Sequence, residues 1–543
     1  MNNIPWVKKI FLFFAGCIFL VPGVCSECLG TNMELLESPI DIAVTPRNQW
    51  NPAVAYNSSD NDFMVLWRTN GKLRDDCSEA DDYDCSNSFH SIDGQRISAE
   101  GEPLGDQFMI SQPEIGWKTL PKIAYNPNTN DYMVFFTTGL EFIGQDGNTA
   151  IIDNQGAIIS GPAQLYPTPY NLSHPEILFN SSYRQFLVAF NDNLYGNSLD
   201  NLGYILDESG NQVTGPFIIG GDTGTQFNPQ AAYNSTDDTY FVIWEDFRNV
   251  GGMWDPSDIY GAVIDSQGGL VIEVPVVDDF GDADEGDQRV QNVVYNPDRN
   301  EYLTAWRDTR PSLDNAGVVG RIIQADGTPA GPDFVIADAP GSQSMPQIIY
   351  VKSKGQYFIL WDDNRNASDH SSPYQSDNTD IYAKWLNYAG EQVGDEIPIC
   401  TDPGVQTTAD LAYSPVMDRF LIAWKDKNAP DDYAVIEGEG GGHVFTDQAD
   451  VRGALYGVPS FLSCRVVDGQ TGSGIEGAAA LVIGPLTIAF EETIDQGWCN
   501  IVEDSQPPGT YVIIVFYSGY QIAVELIDYQ GGPKQTIIAL TPW

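Results

Sequence analysis

Basic residues are scarce in this chain. Its 543 residues include 26 Lys and Arg against 75 Asp and Glu, a net charge of −49. Such a surface repels phosphate backbones and anionic lipid headgroups, so nucleic acid is excluded as a partner. It suits high ionic strength or divalent cations. Histidine is scarcer still: only His90, His174, His370 and His443 occur, with no H-E-x-x-H, which argues against zinc hydrolysis. The chain also lacks a G-x-S-x-G nucleophile elbow, a phosphate-binding P-loop and sialidase-type Asp boxes. Past the N-terminus no apolar run is long enough to cross a bilayer, so no membrane span is expected in the mature chain.

The one long apolar run is N-terminal. Lys8 and Lys9 precede Ile10 to Val21, followed by Pro22, Gly23 and small residues. The run is short for a membrane span, and its flanks are those of a secretory signal peptide, residues 1–26, cleaved after Ser26. The expected destination is secretion or the cell surface. "FAGC", ending at Cys17, resembles a lipoprotein box, but the apolar run continues past it. Six cysteines remain after cleavage, an even number that suits an oxidising compartment. Cys77 with Cys85 would clip one loop and Cys464 with Cys499 one small domain. Cys28 with Cys400 is the pairing left over. No two of these six have zinc-knuckle spacing.

What the chain does have is repetition. Seven related segments start at Pro52, Pro121, Pro175, Pro229, Gln291, Pro346 and Ala409; they read "PAVAYN", "PKIAYN", "PEILFN", "PQAAYN", "QNVVYN", "PQIIYV" and "ADLAYS". Each is followed by a polar turn and a second apolar segment such as "DFMVLW" or "TYFVIW". A third segment and, in six copies, a fourth complete the unit. Short runs punctuated by turn residues read as antiparallel strands joined by hairpins. The second strands are apolar at successive positions, so both of their faces must be covered. Radially stacked four-stranded sheets meet that need. The expected fold is all-β: a seven-bladed β-propeller over residues 27–458. The seventh copy lacks its fourth strand. "SPIDIAVTPRNQWNP" fits the missing frame: Ile42 precedes Pro52 by ten residues, as Ile219 precedes Pro229. An N-terminal strand would then close the ring and remove exposed sheet edges.

Insertions are unevenly placed. The turns joining first to second and third to fourth strands are short. Nearly all long segments fall in second-to-third loops and blade-to-blade links, which share the opposite face, and most are acidic. Variable loops on a rigid scaffold commonly carry function, so this loop face is the candidate binding surface. Trp254, Asp255 and Asp258 in the fourth blade, and Tyr374 in the sixth, are candidate ligand contacts. Asp282, Asp284 and Asp287 are candidate Ca²⁺ ligands, because Ca²⁺ takes several carboxylate oxygens. Asp75, Asp76, Asp81 and Asp82 form a second acidic cluster; neither has EF-hand spacing.

Motifs repeated in each blade point to structure, since a catalytic group is needed once. W-x-D ends the second strand in four copies: Trp244/Asp246, Trp306/Asp308, Trp361/Asp363 and Trp424/Asp426. Arg248, Arg310 and Arg365 follow two residues later. Residues two apart on a strand share a side, so Asp and Arg can pair or brace a loop. Gln49, Gln226, Gln288, Gln343 and Gln406 recur before the first strands, where an amide can satisfy two blades at once. Asn57, Asn171, Asn180, Asn234 and Asn366 head N-x-S/T sequons; in a host without glycosylation they are ordinary turn residues.

From about Phe461 the repeat ends. Asp468, Thr471, Gly472, Ile475, Gly477 and Ala478, then Gly497, Trp498, Pro508, Gly509, Thr510, Tyr511, Gly519 and Tyr520, resemble the carboxypeptidase regulatory-like domain over roughly 80 residues. The resemblance implies a small prealbumin-like β-sandwich over residues 459–543, an accessory module without catalytic residues. Two functions follow as expectations. One is an exported, non-catalytic binding or structural protein that presents the acidic loop face to a glycan, a surface protein or a cation. The other is a carbohydrate-active hydrolase or lyase, which requires unrepeated carboxylates converging near the ring axis.

Overall fold

A computed structural model describes residues 33–45, 48–70, 90–114, 117–140, 143–166, 173–192, 199–250, 256–277, 286–368, 370, 377–428, 436–437, 443–444, 449–457, 462–471, 473–476, 478–483, 488–492, 498–501, 509–529 and 534–541. The signal peptide expected over residues 1–26 lies outside them. Among the described residues no helix is long and apolar enough to cross a membrane.

Seven four-stranded antiparallel sheets form the blades of a β-propeller. Blade one comprises Gln49–Asn57, Asp62–Asn70, His90–Ser98 and Pro103–Glu114, and blade four comprises Gln226–Asn234, Thr239–Asp246, Asp258–Asp265 and Leu270–Val277. Blades two, three, five and six occupy residues 117–166, 173–220, 288–337 and 343–400. Blade seven closes the ring: Gly404–Ser414, Arg419–Asn428 and Asp450–Gly457 are joined by Glu34–Ala43 from the N-terminus. That strand runs antiparallel to Asp450–Gly457, with Ile40 opposite Gly453 and Ala43 opposite Val451.

The apolar second strands are explained by the blade interfaces. Tyr240, Val242 and Trp244 pack toward blade three, while Phe241 and Ile243 pack toward blade five. One hydrophobic cluster lies between each pair of adjacent blades, the seventh uniting blades seven and one. Trp67, Trp244, Trp306, Trp361 and Trp424 are fully buried in these seams. Each such side chain stabilises the ring by roughly 2–3 kcal/mol.

Two features recur at each end of the innermost strands. At one end a tight turn is held by its first asparagine: the Asn57 side-chain oxygen accepts from the amides of Ser59 and Asp60 at 2.8 and 2.9 Å. Asn234 does the same for Thr236 and Asp237. Asn57, Asn180 and Asn234 are wholly buried, so these three sequons are structural turn residues, whereas Asn366 is exposed. At the other end the register slips once in every blade. The residue at each slip has a left-handed backbone: Asn51, Leu120, His174, Asn228, Val290, Met345 and Thr408, with φ between 46° and 56°. A bulge of this kind bends the strand and re-aims the side chain that follows it.

The C-terminal segment forms two further sheets. One comprises Leu462–Asp468 between Trp498–Ile501 and a parallel Lys534–Leu540; the other comprises Ile488–Glu492, Ala479–Ile483, Gly509–Phe516 and Ala523–Tyr529. Val466, Ile538 and Leu540 of the first share a core with Ala480, Ile513, Val515 and Ile527 of the second. Asp468 accepts from the Thr471 amide at 2.7 Å and the Tyr520 hydroxyl at 2.6 Å, which holds its carboxyl down at about 2.

Candidate functional site

The repeated polar motifs are occupied with one another. In blades four, five and six the aspartate of W-x-D accepts the indole N–H two residues earlier, at 2.7, 3.0 and 2.9 Å. The arginine two residues later binds the same carboxylate at 2.6 Å in all three. It then reaches an acid near or on the fourth strand of its own blade: Glu273, Asp333 or Glu396, at 2.7, 2.6 and 2.9 Å. The guanidinium thus ties the second strand of a blade to its outer edge. In blade seven Asp426 accepts from Gln406 at 3.2 Å and pairs with Arg452 at 3.3 Å. The buried glutamines act at the seams. Gln226, Gln288, Gln343 and Gln406 each donate a backbone N–H to the preceding blade, and Gln49 donates to Ala449 of blade seven.

The residues expected to bind at the loop face are only partly described. Trp254, Asp255, Tyr374, Asp282 and Asp284 lie outside the described residues, as do Asp75, Asp76, Asp81 and Asp82. Asp258 begins the third strand of blade four, buried, and accepts from Asn249 at 3.0 Å. Asp287 accepts from Ser257 and from Arg289 at 2.7 Å, with Arg307 at 3.9 Å. Among the described residues no group of three or more His, Cys, Asp or Glu side chains is arranged to hold a metal ion. Cys400 is a buried free thiol, and its leftover partner Cys28 lies outside the described residues, as do Cys77 and Cys85. The backbone register sets Cys464 directly opposite Cys499.

Polar residues that do not repeat gather at the innermost strands. Lys122 of blade two binds Glu176 of blade three at 2.9 Å. Asp410 of blade seven, across the closed seam, also acts on Lys122 and accepts the Val54 amide at 2.8 Å. Burial pushes the Asp410 carboxyl up, and Lys122 opposes that shift. The His174 ring lies tilted against Phe227, 4.3 Å between centroids; burial, aided by the Lys122 charge, holds its pKa down at about 4, so it is neutral. Two further carboxyls reach the bulge of a neighbouring blade. Glu245 accepts the Val290 amide at 2.9 Å, and Asp362 accepts the Thr408 amide at 3.0 Å. Burial raises Glu245 to about 7 and Asp362 to about 8.

Beyond this polar level toward the tight turns, the strands line an open cavity of about 1010 Å³. Tyr56, Tyr125, Phe179, Tyr233, Tyr350 and Tyr413 line it, and Glu476 of the C-terminal segment borders it. Several of their hydroxyls are engaged with the turn of the preceding blade, as Tyr125 is with Ser59 at 2.7 Å and Tyr233 with Ser182 at 2.9 Å. Sequence reasoning overlooked the axial residues because each interrupts an apolar strand only once. The available signal was the letter after the leading Pro or its equivalent, polar in six of the seven copies.

The chain matches no protein-family model and no curated protein. Among solved structures it is similar to a protein of unknown function from Dyadobacter fermentans DSM 18053, at 10% identity over 78% of this chain and 99% of that one, TM-score 0.46. It is also similar to the phage phi92 endosialidase, at 8% identity over 78% and 69%, TM-score 0.41. A third similarity is to the Dos1 propeller, at 10% identity over 78% and 95%, TM-score 0.39.

Proposed function

We propose that this is an exported, non-catalytic binding protein. Its propeller holds a polar ligand through the loop face and the polar level of the innermost strands, and the C-terminal unit, read as a carboxypeptidase regulatory-like sandwich, serves as spacer or anchor. The carrying observation is a division among polar residues. Those repeated from blade to blade brace strands and seams, Glu245 and Asp362 among them as acceptors of the next blade's bulge amide, while Lys122, His174, Glu176 and Asp410 occur once and act on one another at the innermost strands. Candidate partners are a glycan, a surface protein or, at the acidic loops, Ca²⁺. A glycan array probed with and without Ca²⁺, alongside an assay for released products, tests this. Binding without product release is the expected result; turnover of a bound glycan overturns it.

One observation favours the second reading, a carbohydrate-active hydrolase or lyase. Glu245 and Asp362 are buried carboxyls raised to about 7 and 8. An acid kept protonated near neutrality is the form that general-acid catalysis uses. Turnover abolished in both Glu245→Gln and Asp362→Asn would replace the binding reading with this one.

A further inference from the structure

The bulge in each innermost strand brings one residue per blade to the same level just after it. Six are polar: Lys122, Glu176, Gln230, Asn292, Gln347 and Asp410; the seventh is Ala53. All six are half-buried rather than sealed. We infer that this level of the channel is a recognition ring for a neutral, hydroxyl-rich ligand, the end of a glycan chain. The inference rests on the binding reading above and names its ligand class.

The donor and acceptor inventory carries the argument. The unpaired polar atoms of this ring are open to solvent rather than sealed: none is among the buried atoms without a partner, which among the described residues include side-chain atoms of Gln49, Gln226 and Gln406 at the seams. Here the pairing is partial. Asn292 donates to Gln347 at 3.1 Å, and Gln230 donates to the backbone oxygen of Pro229 at 3.0 Å. The Gln347 amide NH₂ and the side-chain oxygens of Gln230 and Asn292 have no partner among the described residues. Open amides offer donors and acceptors side by side, the complement of a hydroxyl, which both donates and accepts.

Charge narrows the class. The ring holds two carboxylates and one ammonium, and the ammonium is bound to Glu176 at 2.9 Å. Among the described residues a polyanion meets no free cation at the ring level itself, Lys352 lying at the adjoining cavity, and it faces the chain's charge of −49. A bare metal ion meets no cluster of three ligands among the described residues. Size agrees as well: the adjoining cavity of about 1010 Å³ is at the upper end of small-ligand sites and is walled by aromatic rings.

Titration calorimetry on the full chain tests this with neutral oligosaccharides and their sulfated and uronic counterparts. The variants are Gln347→Leu, Asn292→Leu and Gln230→Leu, with Trp254→Ala as the loop-face control. Unfolding midpoints show which variants remain folded. The expected result is binding of a neutral oligosaccharide, weakened at least tenfold in every folded ring variant. Wild-type affinity in those variants, with loss in Trp254→Ala, overturns the ring and leaves the binding reading standing. Preference for the anionic counterparts overturns the ligand class. If no saccharide of any class binds the wild type, the ring inference falls and the binding reading keeps only its protein and cation partners.

Discussion

Replacing Asp308 by alanine probes the Trp–Asp–Arg brace directly. The Asp308 carboxylate is fully buried and accepts from the Trp306 indole at 3.0 Å, the Arg310 amide at 2.8 Å and the Arg310 guanidinium at 2.6 Å. Breaking a buried ion pair costs about 3–5 kcal/mol when the surviving charge is left without a partner. Arg310 keeps one, since Asp333 accepts from it at 2.6 Å and its side chain is 17% exposed. The main loss is therefore the indole N–H and the amide left unsatisfied, about 1–3 kcal/mol each for a buried group. Arg310 can no longer tie the second strand to the outer edge, so a total of about 3 kcal/mol is expected. Urea unfolding followed by tryptophan fluorescence measures it. Asp246→Ala and Asp363→Ala remove the same three contacts at 2.6 to 2.9 Å and should match it. A loss below about 1 kcal/mol in all three variants would refute the bracing role. Unchanged stability with loss of ligand binding would refute it too, and would place the motif in the binding site.

Two further outcomes are expected. Burial raises the Glu245 and Asp362 carboxyls from 4.5 and 3.8 to about 7 and 8. A group raised on folding contributes its full stability below the unfolded value and loses it as pH climbs through the folded one. Melting temperature should therefore fall between about pH 4 and pH 8, and Glu245→Gln with Asp362→Asn should flatten that fall; an unchanged slope in the double variant contradicts the assignment. Cys464 and Cys499 face each other across adjacent strands, a separation a disulfide can bridge. Intact-mass analysis after thiol alkylation of protein purified without reductant should find these two protected, and Cys464→Ser should destabilise the C-terminal unit by ~4 kcal/mol on loop-entropy grounds; free alkylation of both in that preparation would contradict the pairing.

Particular residues show how much was legible beforehand. Trp244 and Glu245 are neighbours in one strand, yet Trp244 packs toward blade three and Glu245 contacts blade five. The alternation was readable because a strand covered on both faces must be apolar at successive positions. Ring closure was readable too: the ten-residue offset from Ile42 to Pro52 copies that of other blades, and Glu34–Ala43 pairs where that offset requires. The left-handed residue within each first strand was not readable. Asn51, Leu120, His174, Asn228, Val290, Met345 and Thr408 share no chemistry, since the bulge is imposed by strand pairing rather than side-chain preference.

The sequence by itself determined the repeat, the number of blades and the strand that completes the last one, because period and hydrophobic pattern are local properties of the chain. Which polar residues meet was decided only by tertiary structure. Lys122 and Asp410 are remote in sequence, and only closure of the ring brings blade seven round to blades one and two so that their charges act on each other. Glu245 and Asp362 looked like interchangeable middle letters of W-x-D. Their position beside the next blade's bulge, out of water, raises their pKa values. Burial and proximity of this kind belong to the closed ring and not to any stretch of the chain read alone.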